Sequence, residues 1–329
     1  MPKIVRFYSI GGPENLKLEE APTRPPGQDE VKLRVQAVGL NRAESGFMRG
    51  RYFETPELPS SIGYEAAGVV EAVGPGVDSS WVGKSVATVP GYSMSKYGVL
   101  GEEAIVPAYS LGEYPAKLSP VEAAAVWMQY LTAYGALVTY GGLKRGDFVL
   151  ITAASSSVGL AAIQIVNAEG AVSIAATRKS NKRAELLSLG AAHVIATEEE
   201  DVVQKVNEIT DGAGARLIFD PIAGPGVEKL AETAAFHGIF FVYGSLSQQP
   251  TPFPRTAFGK GLSMRAYSLM ELRREPEVLK TAKQYVFDRL ADGRFHPKIA
   301  KTFPLDKIVD AHRYLESNEQ IGKIVVTVD

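Results

Sequence analysis

"ITAASSSVGL", residues 151–160, follows the apolar run "DFVL" and precedes a segment with the spacing of an amphipathic helix. A dinucleotide-binding chain turns from strand to helix at such a place. In the G-x-G-x-x-G form of that turn the first glycine permits the tight bend, the second lets the backbone approach a pyrophosphate, and the third lets helix and strand pack closely. Here those places hold Ala154, Ser156 and Gly159, so only the packing glycine is kept. Ser155, Ser157 and Val158 fill the rest. Serine hydroxyls can donate to phosphate oxygens beside the free amides of a helix N-terminus. The same serines would also serve as a plain helix cap, and the motif alone does not separate the two.

Around it, strands and helices alternate: "DFVLITAA", "SVGLAAIQIVNAEG", "AVSIAAT", "NKRAELLSLG", "AHVIA", "DVVQKVNEITDG", "ARLIFDPIA", "VEKLAETAAFHG" and "IFFVYGS". This rhythm predicts an α/β domain with a doubly wound parallel sheet of Rossmann type. An acid about 20 residues past the loop would bind the ribose diol of NAD. The chain has "TRKSNKR" instead, with Thr177, Arg178, Lys179, Ser180, Lys182 and Arg183 and no acid. Cations there attract the 2′-phosphate that an acid repels, and they otherwise oppose the dipole at a helix start. The expected cofactor is therefore NADPH. Asp220 in "FDPIAG" and Tyr243, Gly244 and Ser245 in "VYGS" end later strands at the carboxyl edge, where ligands of such sheets collect.

Ahead of residue 119 the texture is different. "EVKLRVQAVGLN" (30–41) alternates over its first half, and "AAGVVEAVGPGV" (66–77) runs into a Gly-Pro-Gly turn. Short strands of this kind suit a partly open β-barrel. "SPVEAAAV" then offers Ser119 as N-cap, Pro120 at the first helical place and Glu122 at the third. Two helical stretches and the strand "GKIVVTVD" close the chain and are expected to rejoin the first domain. The expected division is residues 1–122 with 269–329 for the barrel, and 123–268 for the cofactor domain.

Composition narrows the function classes. The chain has 329 residues, is 45% hydrophobic and 22% charged, and carries a formal charge of −2. No concentrated basic field recommends a nucleic-acid or membrane-surface partner, so a small-molecule ligand is expected. Cysteine is absent, which excludes disulfides and thiolate zinc sites and suits the reducing cytoplasm. "MPKIVRFYSIGG" lacks the pattern of a secretory signal. "AAAVWMQYLTAYGALVTYGG" (123–142), broken by Gln129 and glycines, reads as a buried helix, not a membrane span. His193, His237, His296 and His312 have no ligand-like spacing.

An ordered set of further motifs, "GLNRAESGFMRGRY", "IGYEAAGVVEAVGPGV", "VWMQYLTAYGAL", "LLSLGAAHVI" and "IGKIVVTV", resembles the medium-chain dehydrogenase/reductase superfamily, in particular its zinc-free quinone oxidoreductases related to ζ-crystallin. The likeness runs over nearly the whole chain. It implies a GroES-like barrel, a Rossmann domain, a cleft between them and commonly a homodimer. Phe253, Phe258 and "LSMRAYSL" would supply the edge strand for pairing. Zinc-dependent members have a cysteine near Asn41 and a histidine at Tyr64, so the resemblance implies no metal here. By the same resemblance Tyr52 in "Gly50-Arg51-Tyr52" binds the substrate carbonyl or relays a proton. Asn41 positions nicotinamide or substrate, and Tyr64 fills the vacated metal pocket. Thr132 lines the nicotinamide end, and Lys323 is placed with the cofactor residues.

Without a Lewis acid, a simple ketone leaves an unstabilised alkoxide. A quinone or enone spreads the incoming charge, and hydrogen bonds then suffice. The expected reaction is NADPH-dependent hydride transfer to a quinone or to the C=C bond of an α,β-unsaturated carbonyl. Two alternatives stay open: an enoyl thioester reductase, for which Arg49 and Arg51 would meet the carrier's phosphates, and an NADPH-binding sensor or crystallin-like protein without turnover.

Overall fold

The segments "FVLI", "VSIAAT" and "ARLIFD" are almost free of exposed polar side chains, because both faces of the strands they form are covered. The computed structural model, which describes residues 1–328, gathers them into a six-stranded sheet. Its order is His193–Ala196, Val172–Thr177, Phe148–Ile151, Ala215–Asp220, Ala234–Val242, Ser263–Ala266, and every neighbouring pair is parallel. Numbered along the chain this is 3-2-1-4-5-6, the doubly wound order, with its switch point beside the first strand. In register, Leu150 faces Ile174 on one side and Ile218 on the other. With Ile195 and Phe240 they build one buried core, each such side chain contributing about 1.5–3 kcal/mol.

One predicted helix is cut short. "VEKLAETAAFHG" is helical only over Val227–Ala231, and the strand begins already at Ala234. Ala234 pairs with Ala215, and the register then shifts until Ile239 meets Leu217. His237, at φ +56°, lies in that interruption, with Phe236 exposed beside it. Pairing with a buried strand thus overrides the helix propensity of an alanine-rich run.

The other unit is antiparallel for the most part. A seven-stranded sheet runs Ile299–Pro304, Lys323–Thr327, Glu30–Gly39, Glu65–Val73, Ser85–Thr88, Leu111–Gly112, with Glu103–Pro107 on Glu30–Gly39. A small sheet of Leu16–Glu20, Lys3–Phe7 and Ser60–Ser61 stands beside it. Ser119 and Glu122 form the expected reciprocal cap on helix Pro120–Ala123, the Ser119 amide donating to Glu122 at 2.8 Å.

Contacts divide the chain into Met1–Met128 with Phe287 onward, and Gln129–Val286. Both divisions fall inside helices, Trp127–Tyr134 and Pro276–Ala291, and not at the expected residues 122 and 268. Among the described residues no helix is long and apolar enough to cross a membrane.

Candidate functional site

At the carboxyl edge of the parallel sheet the three serines have separate tasks. Ser156 is the N-cap of helix Ser157–Ala168, its hydroxyl accepting from the Gly159 amide at 3.1 Å. Ser155 accepts from Lys182 Nζ at 3.2 Å. Ser157 and Val158 stand in the first helical turn, where amides have no intrahelical acceptor. The bend before them is made by Ala153 at φ +45°, a left-handed conformation that few residues other than glycine adopt. Gly159 has the packing role expected of it, for a Cβ there would stand 2.6 Å from the Ala154 carbonyl oxygen.

Two neighbouring strands close over this loop. Asp220, fully buried, accepts from Thr152 Oγ1 and from the Ala223 amide, and burial lifts its carboxyl above the usual range. It therefore joins the ends of the first and fourth strands. Tyr243 stacks on Phe219 at 3.9 Å. Its hydroxyl is buried toward Asp220 and Ser156 and completes no hydrogen bond. Gly244 passes so close to Pro221 that a Cβ would meet its carbonyl oxygen at 2.8 Å. Ser245 is exposed beyond it, and Thr132 is buried on helix Trp127–Tyr134. An orphaned hydroxyl, unpaired first-turn amides and a lysine on the loop fit a phosphate-bearing dinucleotide.

The basic cluster is less uniform than its sequence. Arg178, Lys179 and Ser180 are exposed, and Thr177 is buried with its carbonyl taken by the Thr197 amide at 2.8 Å. Arg183, expected with the cofactor residues, donates from its guanidinium to the Val194 carbonyl at 2.8 Å and pairs with Glu200, and so braces the third strand. Glu199 accepts from the Ser180 amide at 3.0 Å. Glu199 and Glu200, which lie a strand away in sequence, stand beside this cluster.

In the other unit two of the residues expected at the ligand stand in a buried network. Lys323, 1% exposed, donates to Glu65 Oε2 at 2.6 Å and to Asn41 Oδ1 at 2.7 Å. The Asn41 amide nitrogen donates to the Gly39 carbonyl at 3.0 Å. Glu65 Oε1 takes the Met128 amide at 3.0 Å. Asn41 was expected at nicotinamide or substrate, and Lys323 among the cofactor residues. Their polar atoms are committed to one another, because a charge this deep requires a partner. The signal was present in sequence: a lone acid in "IGYEAAGVV" and a lone lysine in "IGKIVVTV".

Glu44 extends the network, accepting from the Asn41 amide at 3.1 Å and lying toward the Tyr64 amide. Burial pushes its carboxyl up to about 7. Tyr64, expected to fill or line the vacated metal pocket, is buried between Tyr52 and Tyr92, with ring centroids 6.1 and 5.5 Å away. Tyr52 is half-buried. Desolvation raises its phenol above 10, and a hydrogen bond from Tyr64 opposes that rise. Glu54, also unforeseen, ties the Tyr52 loop to helix Met94–Tyr97 by accepting from Ser93 Oγ and the Met94 amide.

A zinc ion finds no fitting donors here. The chain has no cysteine, the Asn41 oxygen already accepts from an ammonium, and Tyr64 is an aromatic alcohol held neutral by burial. Among the described residues no cluster of three histidine, aspartate or glutamate side chains could hold a metal.

The same unit contains a balanced pair of titrations. His312, on helix Ile308–Ser317, is fully buried with both ring nitrogens unpartnered. Desolvation lowers its pKa to about 4, with Glu316 and Arg49 nearby acting in opposite senses. The unfolded histidine takes its proton first, so acidification from 6.5 towards 4 removes stability. Glu44 is the reverse case: its folded carboxyl takes a proton first, and acidification from 7 towards 4.5 adds stability. Unfolding free energy should therefore change little between pH 7 and 5. His312→Leu should gain about 2 kcal/mol over that interval and Glu44→Gln should lose about as much. Urea midpoints at the two pH values check this, and a His312→Leu profile as flat as the parent's refutes the balance.

Residues 27–116 match the alcohol dehydrogenase GroES-like domain family, and residues 189–326 the family described as zinc-binding dehydrogenase. The chain is 30% identical to the 2-haloacrylate reductase of Burkholderia sp over 97% of both chains. It is also 30% identical to quinone oxidoreductase 1 of Escherichia coli (strain K12), again over 97% of both. Among solved structures, the Escherichia coli quinone oxidoreductase complexed with NADPH superposes with a TM-score of 0.91 at 28% identity, covering 99% of each chain. The chain belongs to the medium-chain dehydrogenase/reductase superfamily, in its quinone oxidoreductase branch. It is an oxidoreductase of that group, although the residues at its zinc-equivalent positions do not suit zinc.

Proposed function

We propose that this chain is an NADPH-dependent, zinc-independent oxidoreductase acting on a quinone or on the C=C bond of an α,β-unsaturated carbonyl. The observation that carries the reading is the Tyr52 phenol, held neutral by burial and receiving a hydrogen bond from Tyr64, beside positions whose donors do not suit a metal. NADPH, when bound, supplies a hydride. Tyr52 donates to the acceptor's oxygen as negative charge builds there, a donor of the kind that serves a delocalised enolate or hydroquinone. The names of two relatives, quinone oxidoreductase and 2-haloacrylate reductase, both denote conjugated acceptors. Arg49 gives no support to a carrier-linked thioester, since its guanidinium pairs with Glu316 at 2.9 Å. Steady-state turnover of NADPH with 1,2-naphthoquinone, a simple enone and crotonyl-CoA tests the reading. Tight NADPH binding without turnover of any of them would favour the non-enzymatic alternative.

Lys182, anchored on Ser155, is proposed to select the 2′-phosphate. Lys182→Ala should weaken NADPH binding roughly tenfold and leave NADH unchanged, as expected for one charge-assisted hydrogen bond. Arg183→Ala should leave the NADPH to NADH ratio alone. Fluorescence titration with both nucleotides decides, and equal losses for NADH would remove the role. A homodimer is proposed through the edge strand Ser263–Ala266, near which Phe253 and Phe258 form an exposed aromatic pair. Sedimentation at the monomer mass of 35.4 kDa would exclude it.

A further inference from the structure

Helix Trp127–Tyr134 continues without a break as a π-helix over Gly135–Tyr140. Such wider turns are rare, and those that occur are often at functional sites. Side chains from the strand Ser263–Ala266 and the residue after it grip both ends of this segment. At the far end the Arg265 guanidinium lies 4.1 Å over the Tyr140 ring and pairs with Glu271 at 2.6 Å, while the Tyr140 hydroxyl donates to Glu275 at 2.8 Å. At the near end the Tyr267 hydroxyl donates to the Leu131 carbonyl at 3.3 Å. Gly135 makes room for that bond, for a Cβ there would stand 2.0 Å from the Tyr267 hydroxyl oxygen and 2.8 Å from its Cζ. Glycine destabilises a helix interior relative to alanine, and the phenol it admits accounts for its presence here.

Tyr267 is itself fixed. It is buried, with the ring centroids of Tyr140 and Phe241 at 5.9 and 6.3 Å, and packing of this kind locks the rotamer of a supporting side chain. Its amide donates to the Val242 carbonyl at 2.9 Å, and Val242 is the last residue of its strand, directly before Tyr243 and Gly244. The phenol therefore ties Leu131 to the carboxyl edge of the parallel sheet, where ligands of such sheets bind. A carbonyl oxygen has two lone pairs, so the turn is held from outside without being unwound. Thr132 is the next residue along. We propose that Tyr267 and Gly135 form a positioning pair: the Tyr267 hydroxyl, seated in the space Gly135 leaves, holds the Leu131–Thr132 turn so that Thr132 meets the nicotinamide end of the cofactor. This rests on the reading of the chain as NADPH-dependent with Thr132 at that end.

The test titrates two ligands into the parent and its variants: NADPH, and adenosine 2′,5′-bisphosphate, which has the adenosine half and the 2′-phosphate but no nicotinamide. Tyr267→Phe keeps the ring and removes only the hydroxyl. It should weaken NADPH about three- to tenfold, the worth of one neutral hydrogen bond, and leave the bisphosphate within about twofold. Gly135→Ala, which displaces the phenol, should act in the same direction and at least as strongly. In a Thr132→Ala background, Tyr267→Phe should change the ratio of the two affinities by less than about twofold, because both substitutions act through one contact. A Tyr267→Phe protein that loses both ligands equally makes the tyrosine a packing residue and overturns the inference. An unchanged NADPH affinity overturns it as well, as does a full effect that persists without Thr132. A parent that binds the bisphosphate as tightly as NADPH overturns it too, and leaves the assignment of the 2′-phosphate standing. A parent that binds neither ligand sinks the cofactor reading itself, and this inference with it.

Discussion

Lys323→Met is expected to destabilise the protein by about 3–5 kcal/mol, because it leaves the Glu65 carboxylate buried without its cation. Glu65 is wholly shielded from solvent, and its remaining bonds, the Met128 amide at 3.0 Å and a long contact from Asn41 at 3.5 Å, bring no positive charge. Asn41 Oδ1 would lose its donor at the same time. The loss belongs to the broken pair, not to the absence of a charge as such. Lys323→Met combined with Glu65→Gln should recover more than half of it, since an amide keeps an acceptor for Met128 and leaves no net charge. Urea denaturation of the three proteins gives the comparison. A single variant within 1 kcal/mol of the parent would show that the pair is not what holds these strands together.

Removing one hydroxyl should have the largest effect on turnover. Tyr52→Phe is expected to lower kcat for a quinone or enone by about 10²–10³-fold, the usual result of deleting one preorganised donor at a developing oxyanion. Stability should fall by about 1–3 kcal/mol, because the buried Tyr64 hydroxyl loses its acceptor, while the ring still packs on Tyr64 and Phe53. Burial holds the phenol above its ordinary pKa, so the parent's kcat should be flat from pH 6 to 9 as far as Tyr52 is concerned. Retention of turnover within threefold in Tyr52→Phe would remove it from the reaction.

Much of the cofactor domain was legible because its signals are local. Strand and helix alternation follows from residue period, Ser119 and Glu122 announce a cap, and Gly159 announces close packing. Other features depend on where distant segments meet. Arg183 reads as one cation in a cluster until the third strand brings Glu200 to it. Lys323 and Glu65 lie 258 residues apart. Each is conspicuous as a charge in an apolar run, yet only the sheet shows that the two charges neutralise each other. Only the first part of the strand Ala234–Val242, ahead of "IFFV", reads as helix, because alanines favour a helix until a parallel neighbour claims them. The domain divisions fall inside helices, where no turn or linker composition marks them.

Ser156 has a consequence for how a nucleotide would be received. A glycine-rich loop is soft, and a ligand that binds it must also immobilise it. In this chain the middle serine already fixes the first helical turn through Gly159, and Asp220 fixes the strand end behind it through Thr152 and Ala223. Little conformational entropy is left to be lost on association, so this loop acts as a rigid receptor. Exchanging glycine for serine has moved the ordering of the turn from the binding step to the folding step.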